Sequence, residues 1–154
     1  MTSAPFDFKA QLRVGRAGEA LLLKHWPHAI RRHTELRGPD FVDSTGAVIE
    51  LKTDTYDYDR TPNIFVERHS DHSKGTPGGP WQAVLKGSTT FVYLFIKNRR
   101  WLVFTDIPAL CVRVEGLIVG GLVPVQVMNR GYVTLGYKVP REALAGLYIE
   151  EELK

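Results

Sequence analysis

Apolar residues follow two different spacings along this chain, one helical and one extended. From residue 6 to residue 26 they recur every three or four positions, which predicts an amphipathic helix that Pro27 ends. Short apolar runs bounded by turn residues follow this helix and predict strands. The predicted strands span residues 30–34, 41–42, 47–53, 63–68, 90–96, 101–105, 123–128 and 132–139.

Three shorter helices are predicted further along the chain. Residues 81–86 form one that Gly87 stops, and Asp106 caps another that runs to about residue 115. Pro140 opens a final helix over residues 141–144, and the acidic end at residues 150–152 is expected to be frayed or solvated. This order predicts one α/β domain over residues 1–154, with a mixed central sheet flanked by helices and a site at one end of the sheet.

Composition narrows the class of protein. The balance of 44% hydrophobic and 24% charged residues is typical of a water-soluble globular domain. No apolar run reaches about eighteen residues, so no membrane span is expected. Residues 1–7 lack a basic region followed by an apolar stretch, so no secretory signal is expected. The single cysteine, Cys111, lies in an apolar run and is expected to be a buried structural thiol, which favours a reducing, cytoplasmic location.

Two carboxylates and a lysine lie in or directly beside the predicted hairpin of residues 41–53. Asp40 precedes its first strand, and Glu50 and Lys52 share one face of its second strand, because side chains alternate along a strand. Such a group can hold a hard divalent cation and position a water molecule beside a phosphate. The alternative is a turn residue at Asp40 and a solvated ion pair of Glu50 with Lys52. Because burying charge is costly, two charges on an otherwise apolar strand favour the site.

The residues of this hairpin resemble the motif of the PD-(D/E)xK nuclease superfamily. Pro39-Asp40, nine intervening residues and Glu50-Leu51-Lys52 carry the resemblance. It implies a restriction-endonuclease-like fold and a DNA nuclease that uses Mg²⁺, for which Mn²⁺ can substitute. It implies that Asp40, Glu50 and the Leu51 carbonyl hold the metal ion, that Lys52 orients the attacking water, and that cleavage leaves 5′-phosphate and 3′-hydroxyl ends. In size the chain is most similar to small phage resolvases and exonucleases, and a resolvase would act as a homodimer.

The first predicted helix contributes two further candidates. In the superfamily that the chain resembles, an acidic residue on the first helix often completes the metal shell, and Glu19 has that position. Gly15 and Gly18 are expected to let this helix approach the sheet closely. Arg16 lies one turn before Glu19, so it either contacts a substrate phosphate or pairs with Glu19.

The glycine-rich segment of residues 69–80 is predicted to be a flexible flap that closes over DNA. Lys74 in this segment would contact a phosphate. The resemblance implies that a polar residue of the following helix faces the site, which points to Gln82, with Lys86 one turn on. His69 and His72 could bind zinc, but no cysteine supports them.

Charge and aromatic residues near the motif suit a polyanionic substrate. The net charge of +3 is modest, but basic residues concentrate in the first two thirds of the chain and would attract phosphates. Residues 54–59 alternate aspartates with Tyr56 and Tyr58, which either offer aromatic surfaces to unpaired bases or pack against the sheet. Glu67 ends a strand that is expected to neighbour the Glu50 strand, where it would support the metal site or pair with a basic residue.

Other classes of function remain open. The chain is alternatively a DNA-binding protein on the same fold whose chemistry is lost, although an inactive site has no need for Asp40, Glu50 and Lys52 together. It is alternatively a partner-binding protein with a fortuitous motif. Within the nuclease class the sequence does not separate junction resolution from exonucleolytic digestion. A restriction enzyme is disfavoured, because little chain is left for reading bases.

Overall fold

A computed structural model describes residues 8–31 and 41–154, which form an α/β structure with a mixed sheet flanked by three helices. The helices are α1 (Phe8–His25), α2 (Gly79–Leu85) and α3 (Ile107–Val119). The strands are β1 (Ile30–Arg31), β2 (Phe41–Val42), β3 (Val48–Asp54), β4 (Asn63–Asp71), β5 (Thr76–Pro77), β6 (Thr90–Phe95), β7 (Arg100–Phe104), β8 (Pro124–Met128), β9 (Val133–Pro140) and β10 (Tyr148–Glu152). Among the described residues, no helix is long and apolar enough to cross a bilayer.

The first sheet is the mixed one, with strands in the order β1-β2-β3-β6-β7-β10. Strands β3 and β6 run parallel, so that Glu50 pairs with Phe91 and Lys52 with Tyr93, and the other neighbours are antiparallel. Helix α1 packs on one face through Leu22, which joins Ile49 and other buried side chains in one cluster. Helices α2 and α3 pack with the opposite face. The predicted mixed sheet flanked by helices is therefore confirmed.

A second sheet of four antiparallel strands has the order β5-β4-β9-β8. Ile64 and Val66 of β4 turn inward and join the core cluster on the α2 and α3 side of the first sheet. The expectation that β4 neighbours the Glu50 strand is wrong. Both edges of β3 are already paired, with β2 and β6, and β4 instead forms a long antiparallel ladder with β9.

The end of the chain also departs from the sequence prediction. The predicted final helix is a single 3₁₀ turn, Arg141–Leu144, and β10 follows it as an edge strand beside β7. Residues 150–152 are therefore not frayed. Arg100 of β7 holds them through Glu150, at 3.1 Å, and Glu152, at 3.6 Å, and Leu153 beyond them is buried.

The other predicted elements are confirmed within the described residues, with small shifts of their ends. Residues 6–7 of the predicted first helix and 32–34 of the predicted first strand lie outside the described residues. Asp106 caps α3 as predicted, because its carboxylate accepts a hydrogen bond from the Ala109 N–H at 3.0 Å, although α3 continues to Val119. Cys111 is a buried residue of α3, and burial raises the pKa of its thiol to about 11. The predicted structural role of this thiol is consistent with both observations, since a protonated buried thiol is a poor nucleophile.

Candidate functional site

The predicted hairpin of residues 41–53 is present, and Asp43 organises its turn. Phe41 pairs with Ile49 across the two strands. The Asp43 carboxylate accepts hydrogen bonds from the Thr45 N–H at 2.9 Å, the Thr45 hydroxyl at 2.6 Å and the Ala47 N–H at 3.0 Å. The Trp26 indole, just after α1, donates a fourth at 2.9 Å. These bonds, the Thr45 hydroxyl first, lower the pKa of Asp43 to about 2, so the turn is fixed by a charged carboxylate.

Strand β3 presents the motif side chains on one face, as the alternation predicts. Glu50 and Lys52 share the face of the strand that also carries Phe91 and Tyr93 of β6. Leu51 lies on the opposite face, whose side chains pack with α1. A Cβ atom at Gly18 of α1 would collide with the Thr53 side chain, so this glycine permits the close helix–strand approach that was predicted. Nothing lies within 4 Å of the equivalent position at Gly15.

Glu50 is only partly accessible and has a cationic neighbour. Its side chain is 18% exposed, and the Lys86 ammonium lies 3.4 Å from its Oε1 atom. Lys86 directly follows α2 and is itself 17% exposed. A residue that sequence analysis assigned to substrate binding is thus brought to the motif carboxylate. Because the pair is largely shielded from water, its electrostatic interaction is stronger than that of an exposed ion pair.

Tyr93 links the two sheets beside the motif. Its buried hydroxyl donates a hydrogen bond to the Asp54 carboxylate at the end of β3 and accepts one from the Phe65 N–H of β4 at 3.0 Å. Burial first, and then the negative charge of Asp54, raise the pKa of the Tyr93 phenol far above its ordinary value. The phenol therefore stays protonated and fixes Asp54 relative to the second sheet.

A cleft of about 550 Å³ opens between the end of β3 and the outer face of the second sheet. Its charged side chains come from both sheets: Lys52 and Asp54 from β3, and Glu67 and Lys138 from β4 and β9. The remaining lining residues are Gln11, Thr53, Thr55, Tyr56, Thr61, Asn63, Ile64, Phe65, Tyr93, Val125, Val127, Asn129, Tyr132 and Thr134. Lys52 is exposed here, and among the described residues no carboxylate forms a salt bridge with it.

The two tyrosines after the motif have different roles. Tyr58 packs against the sheet: its hydroxyl donates to Glu150 at 2.6 Å, and its ring meets Phe95 edge to face with centroids 5.3 Å apart. The Arg141 guanidinium covers the same ring at 3.9 Å from its centroid. Tyr56 is 65% exposed and lines the cleft. The packing interpretation therefore holds for Tyr58 and not for Tyr56.

Three predicted site residues lie on other elements than Glu50 and Lys52, and one lies outside the described residues. Asp40 belongs to residues 32–40, which the structure does not describe. Glu19 of α1 pairs with Arg31 at 2.8 Å, whereas Arg16 is exposed on α1. Lys74 is exposed in the turn after β4.

The segment predicted to be a flexible flap is folded onto β4. Strand β5 pairs with β4, and the Gly78 N–H donates to the Arg68 carbonyl at 3.0 Å. A Cβ atom at Gly78 would lie 2.7 Å from Glu67 Cγ, and one at Gly79, whose φ is +48°, would lie 2.5 Å from the Glu67 carbonyl oxygen, so glycine permits this close approach of the two backbones. Gln82 is half-buried on α2, directly after this segment. The flap prediction is corrected to a hairpin that holds the start of α2 against the second sheet.

The histidines of this hairpin lie close together. The rings of His69 and His72 are 5.8 Å apart. Burial, and then the charges of Arg68 and His72, lower the pKa of His69. Within residues 8–31 and 41–154, no group of three or more histidines, cysteines, aspartates and glutamates is placed to hold a metal ion.

One side of the cleft is formed by the second sheet, and this was not predicted from the sequence. A signal was present in β9, where Thr134, Gly136 and Lys138 alternate on one face. An isolated glycine within a strand marks a close approach, and a Cβ atom at Gly136 would collide with the Phe65 ring. Lys52 and Lys138 thus line a polar, aromatic cleft, and Glu50, paired with Lys86, lies on the same face of β3 as Lys52. The chain matches no protein-family model, no curated protein and no solved structure.

Proposed function

We propose that this protein is a Mg²⁺-dependent deoxyribonuclease of the PD-(D/E)xK type, acting as an exonuclease or as a junction-resolving endonuclease in a reducing, cytoplasmic setting. The observation that supports it best is the shared face of β3, on which Glu50 lies shielded and Lys52 projects into the cleft. Asp40 is one peptide bond from Phe41, and Phe41 pairs with Ile49, the neighbour of Glu50. Glu50 and Lys52 therefore belong to one short hairpin, and Asp40 directly precedes its first strand in the sequence.

The donor set suits a hard cation. Asp40, Glu50 and the Leu51 carbonyl offer oxygen atoms, which are the ligands that Mg²⁺ prefers, and the motif contains no histidine or cysteine. The ammonium 3.4 Å from Glu50 supports the same inference, because it marks a place where positive charge is stabilised. When bound, Mg²⁺ would polarise the scissile phosphate and lower the pKa of a water molecule.

The lysines have separable roles in the proposal. Lys52 orients the attacking water or stabilises the negative charge that develops on the phosphate, as a point-charge donor. Lys138, across the cleft on β9, attracts a neighbouring phosphate of the same strand. Lys86 neutralises Glu50 before substrate and metal arrive, and then serves as a phosphate contact. In-line attack would leave a 5′-phosphate and a 3′-hydroxyl.

A second candidate is a DNA-binding protein on this fold without catalysis. The contact between Lys86 and Glu50 favours it, since an ammonium ion that stays there would compete with a metal ion for the carboxylate. Substitution of Lys86 by methionine separates the two candidates. The nuclease retains cleavage in this variant, with a weaker affinity for DNA, and a protein without catalysis has no cleavage to retain.

The test uses purified protein with end-labelled linear duplex, single-stranded DNA and a four-way junction, each with Mg²⁺, Mn²⁺ or EDTA. We expect metal-dependent cleavage to ligatable 5′-phosphate ends, and we expect Glu50→Gln to abolish it. Glu151→Gln is the matched control, because Glu151 is an exposed carboxylate on β10. Circular dichroism would show that each variant is folded. Cleavage by folded Glu50→Gln at the wild-type rate would overturn the mechanism, and no cleavage of any substrate by the wild type would favour the second candidate.

A further inference from the structure

Aromatic side chains line the cleft from both of its sides. Tyr56 comes four residues after Lys52 and is 65% exposed, and Tyr132, in the turn before β9, is 44% exposed. Both line the same cleft as Phe65, whose ring lies across Gly136. The cleft therefore presents aromatic surface next to the proposed catalytic lysine.

Exposed tyrosine rings at this place need a reason, because burying an aromatic ring is favourable. The neighbouring Tyr58 shows that this segment can bury a tyrosine ring, since it packs on Phe95 and pairs with Glu150. Tyr56 is held at its backbone instead: its N–H donates to Asp54 Oδ1 at 2.8 Å. The root of Tyr56 is fixed to the end of the motif strand while its ring remains accessible from the cleft.

The size of the cleft selects among nucleic-acid ligands. Its volume of about 550 Å³ corresponds to a sphere roughly 10 Å across, narrower than the ~12 Å of the B-DNA major groove alone. A duplex, which is wider than its own major groove, does not fit inside this volume, whereas one base with its sugar does. The volume lies within the range of about 300–1,000 Å³ that is usual for small-ligand pockets.

The polar groups of the cleft suit the edge of a base. Asn63 and Asn129 place amide groups, which donate and accept hydrogen bonds, in the lining. The Asn129 amide is held in place, because its Nδ2 donates to the Thr134 hydroxyl at 2.8 Å and to the Val127 carbonyl at 3.3 Å, so that it offers a base its acceptor oxygen. Lys52 and Lys138 supply positive charge on opposite walls, as contact with the phosphates on either side of a base requires.

We propose that this cleft binds an unpaired nucleobase of single-stranded DNA, stacked on Tyr56 and Tyr132. The inference rests on the proposed nuclease function and names its substrate: a single strand, or the single-stranded part of a branched DNA. The base that enters belongs to a nucleotide beside the phosphate that Lys52 faces. Because every base has an aromatic face, this binding tolerates any sequence.

The test measures binding without cleavage. Short single strands that carry one 2-aminopurine are titrated with the protein in EDTA, and the fluorescence of the probe falls when it stacks on a ring. The same probe within a duplex is the comparison. We expect quenching for the single strand, and a loss of affinity of about 10-fold or more for each ring when Tyr56→Leu and Tyr132→Leu are introduced.

Two further variants make the result specific for stacking. Tyr56→Phe keeps the ring, so we expect it to restore most of the affinity that Tyr56→Leu loses. Ile149→Ala removes an exposed apolar side chain on β10 and is expected to change nothing, since this residue is not part of the cleft. Unchanged quenching in the Tyr56→Leu/Tyr132→Leu double variant, or equal quenching of the duplex probe, would overturn the inference.

Failure of this inference is distinguishable from failure of the nuclease proposal. Metal-dependent cleavage by the wild type, with no effect of either tyrosine on binding, removes the base-binding cleft and leaves the nuclease. Quenching that depends on the tyrosines, with no cleavage of any DNA, removes the nuclease and leaves a protein that binds single strands.

Discussion

Strand β3 of the first sheet and strand β4 of the second face one cleft with different side chains. β3 brings Lys52 and Asp54 to the cleft, and Glu50 lies on the same face of β3 as Lys52 but is not part of the cleft lining. These residues are close in sequence and suit chemistry at a phosphate. The second sheet brings Asn63 and Phe65 from β4 and Lys138 from β9, which suit the binding of a substrate. The comparison indicates a division between catalysis on one sheet and substrate binding on the other.

The two sheets differ in how far apart along the chain their pairing residues lie. The hairpin that builds the motif closes within a few residues, since Asp43 holds its own turn. The second sheet depends on the ladder between β4 and β9, whose partners Phe65 and Lys138 are far apart along the chain. Pairing over such a separation costs more chain entropy, so the second sheet requires the rest of the fold.

The strongest test of this division replaces one lysine of each sheet by alanine. Lys52→Ala removes a group that acts on the developing charge, so we expect kcat to fall about 100- to 1,000-fold with little change in KM. Lys138→Ala removes a phosphate contact, so we expect a higher KM. We also expect the salt dependence of KM to correspond to about one phosphate contact fewer. Steady-state cleavage at several salt concentrations measures both effects. Lys24→Ala, on the exposed side of α1, is the control.

The division fails if the two variants behave alike. Equal losses of kcat would make Lys138 part of the chemistry. Equal increases of KM would reduce Lys52 to a phosphate contact, and the role proposed for it beside Glu50 would be lost.

The second test breaks the link between the sheets. Tyr93→Phe leaves the Asp54 carboxylate and the buried Phe65 N–H without their shared hydroxyl, so we expect a loss of about 1–3 kcal/mol in the free energy of unfolding. Urea denaturation measures it. Tyr132→Phe removes an exposed hydroxyl and should stay within about 0.5 kcal/mol. A loss for Tyr93→Phe no larger than this control would show that the hydroxyl does not join the two sheets.

Much of the first sheet could be predicted because its determinants are local. The alternation around Glu50 and Lys52 and the turn residues after Val42 carry the hairpin, and the apolar run of β6 predicts a buried strand. The partner of β4 could not be predicted in the same way. Alternation says which face of a strand is buried, but it does not say which other strand will pair with it.

The candidate site divides along the same line. Sequence spacing indicates Glu50 and Lys52, but the approach of Lys86 to Glu50 depends on where α2 packs. The cleft wall requires both sheets to be in place, and the local signal that it carries is the alternation of Thr134, Gly136 and Lys138 along β9, which does not reveal Phe65 as its neighbour. The acidic end of the chain was predicted to be frayed or solvated. It is a strand, with Glu151 and Glu152 exposed, because Arg100, fifty residues before Glu150, pairs with it.

The smallest expected effect concerns Asp43, which holds the turn of the motif hairpin in the first sheet. Its pKa is lowered from 3.8 to about 2 by hydrogen bonds that require the charged carboxylate. The stabilisation is therefore fully present above about pH 4, and it is lost as the pH falls through about 2. Asp43→Asn cannot carry the charge, so we expect it to be about 1 kcal/mol less stable near neutral pH. Below about pH 2 the wild type becomes protonated, and the difference should disappear.

Thermal unfolding of both proteins between pH 2 and 7 measures this convergence, with Ser44→Ala as a control in the same turn. A stability difference that stayed constant over the whole range would contradict a charged carboxylate in the turn. The same variant also tests whether cleavage and DNA binding depend on different parts of the molecule. Since the hydrogen bonds of Asp43 within the described residues stay in the hairpin or go to Trp26, Asp43→Asn should alter cleavage through the motif hairpin, while binding of 2-aminopurine DNA at Tyr56 and Tyr132 stays unchanged. A parallel loss of that binding would mean that the motif hairpin and the second sheet act as one unit.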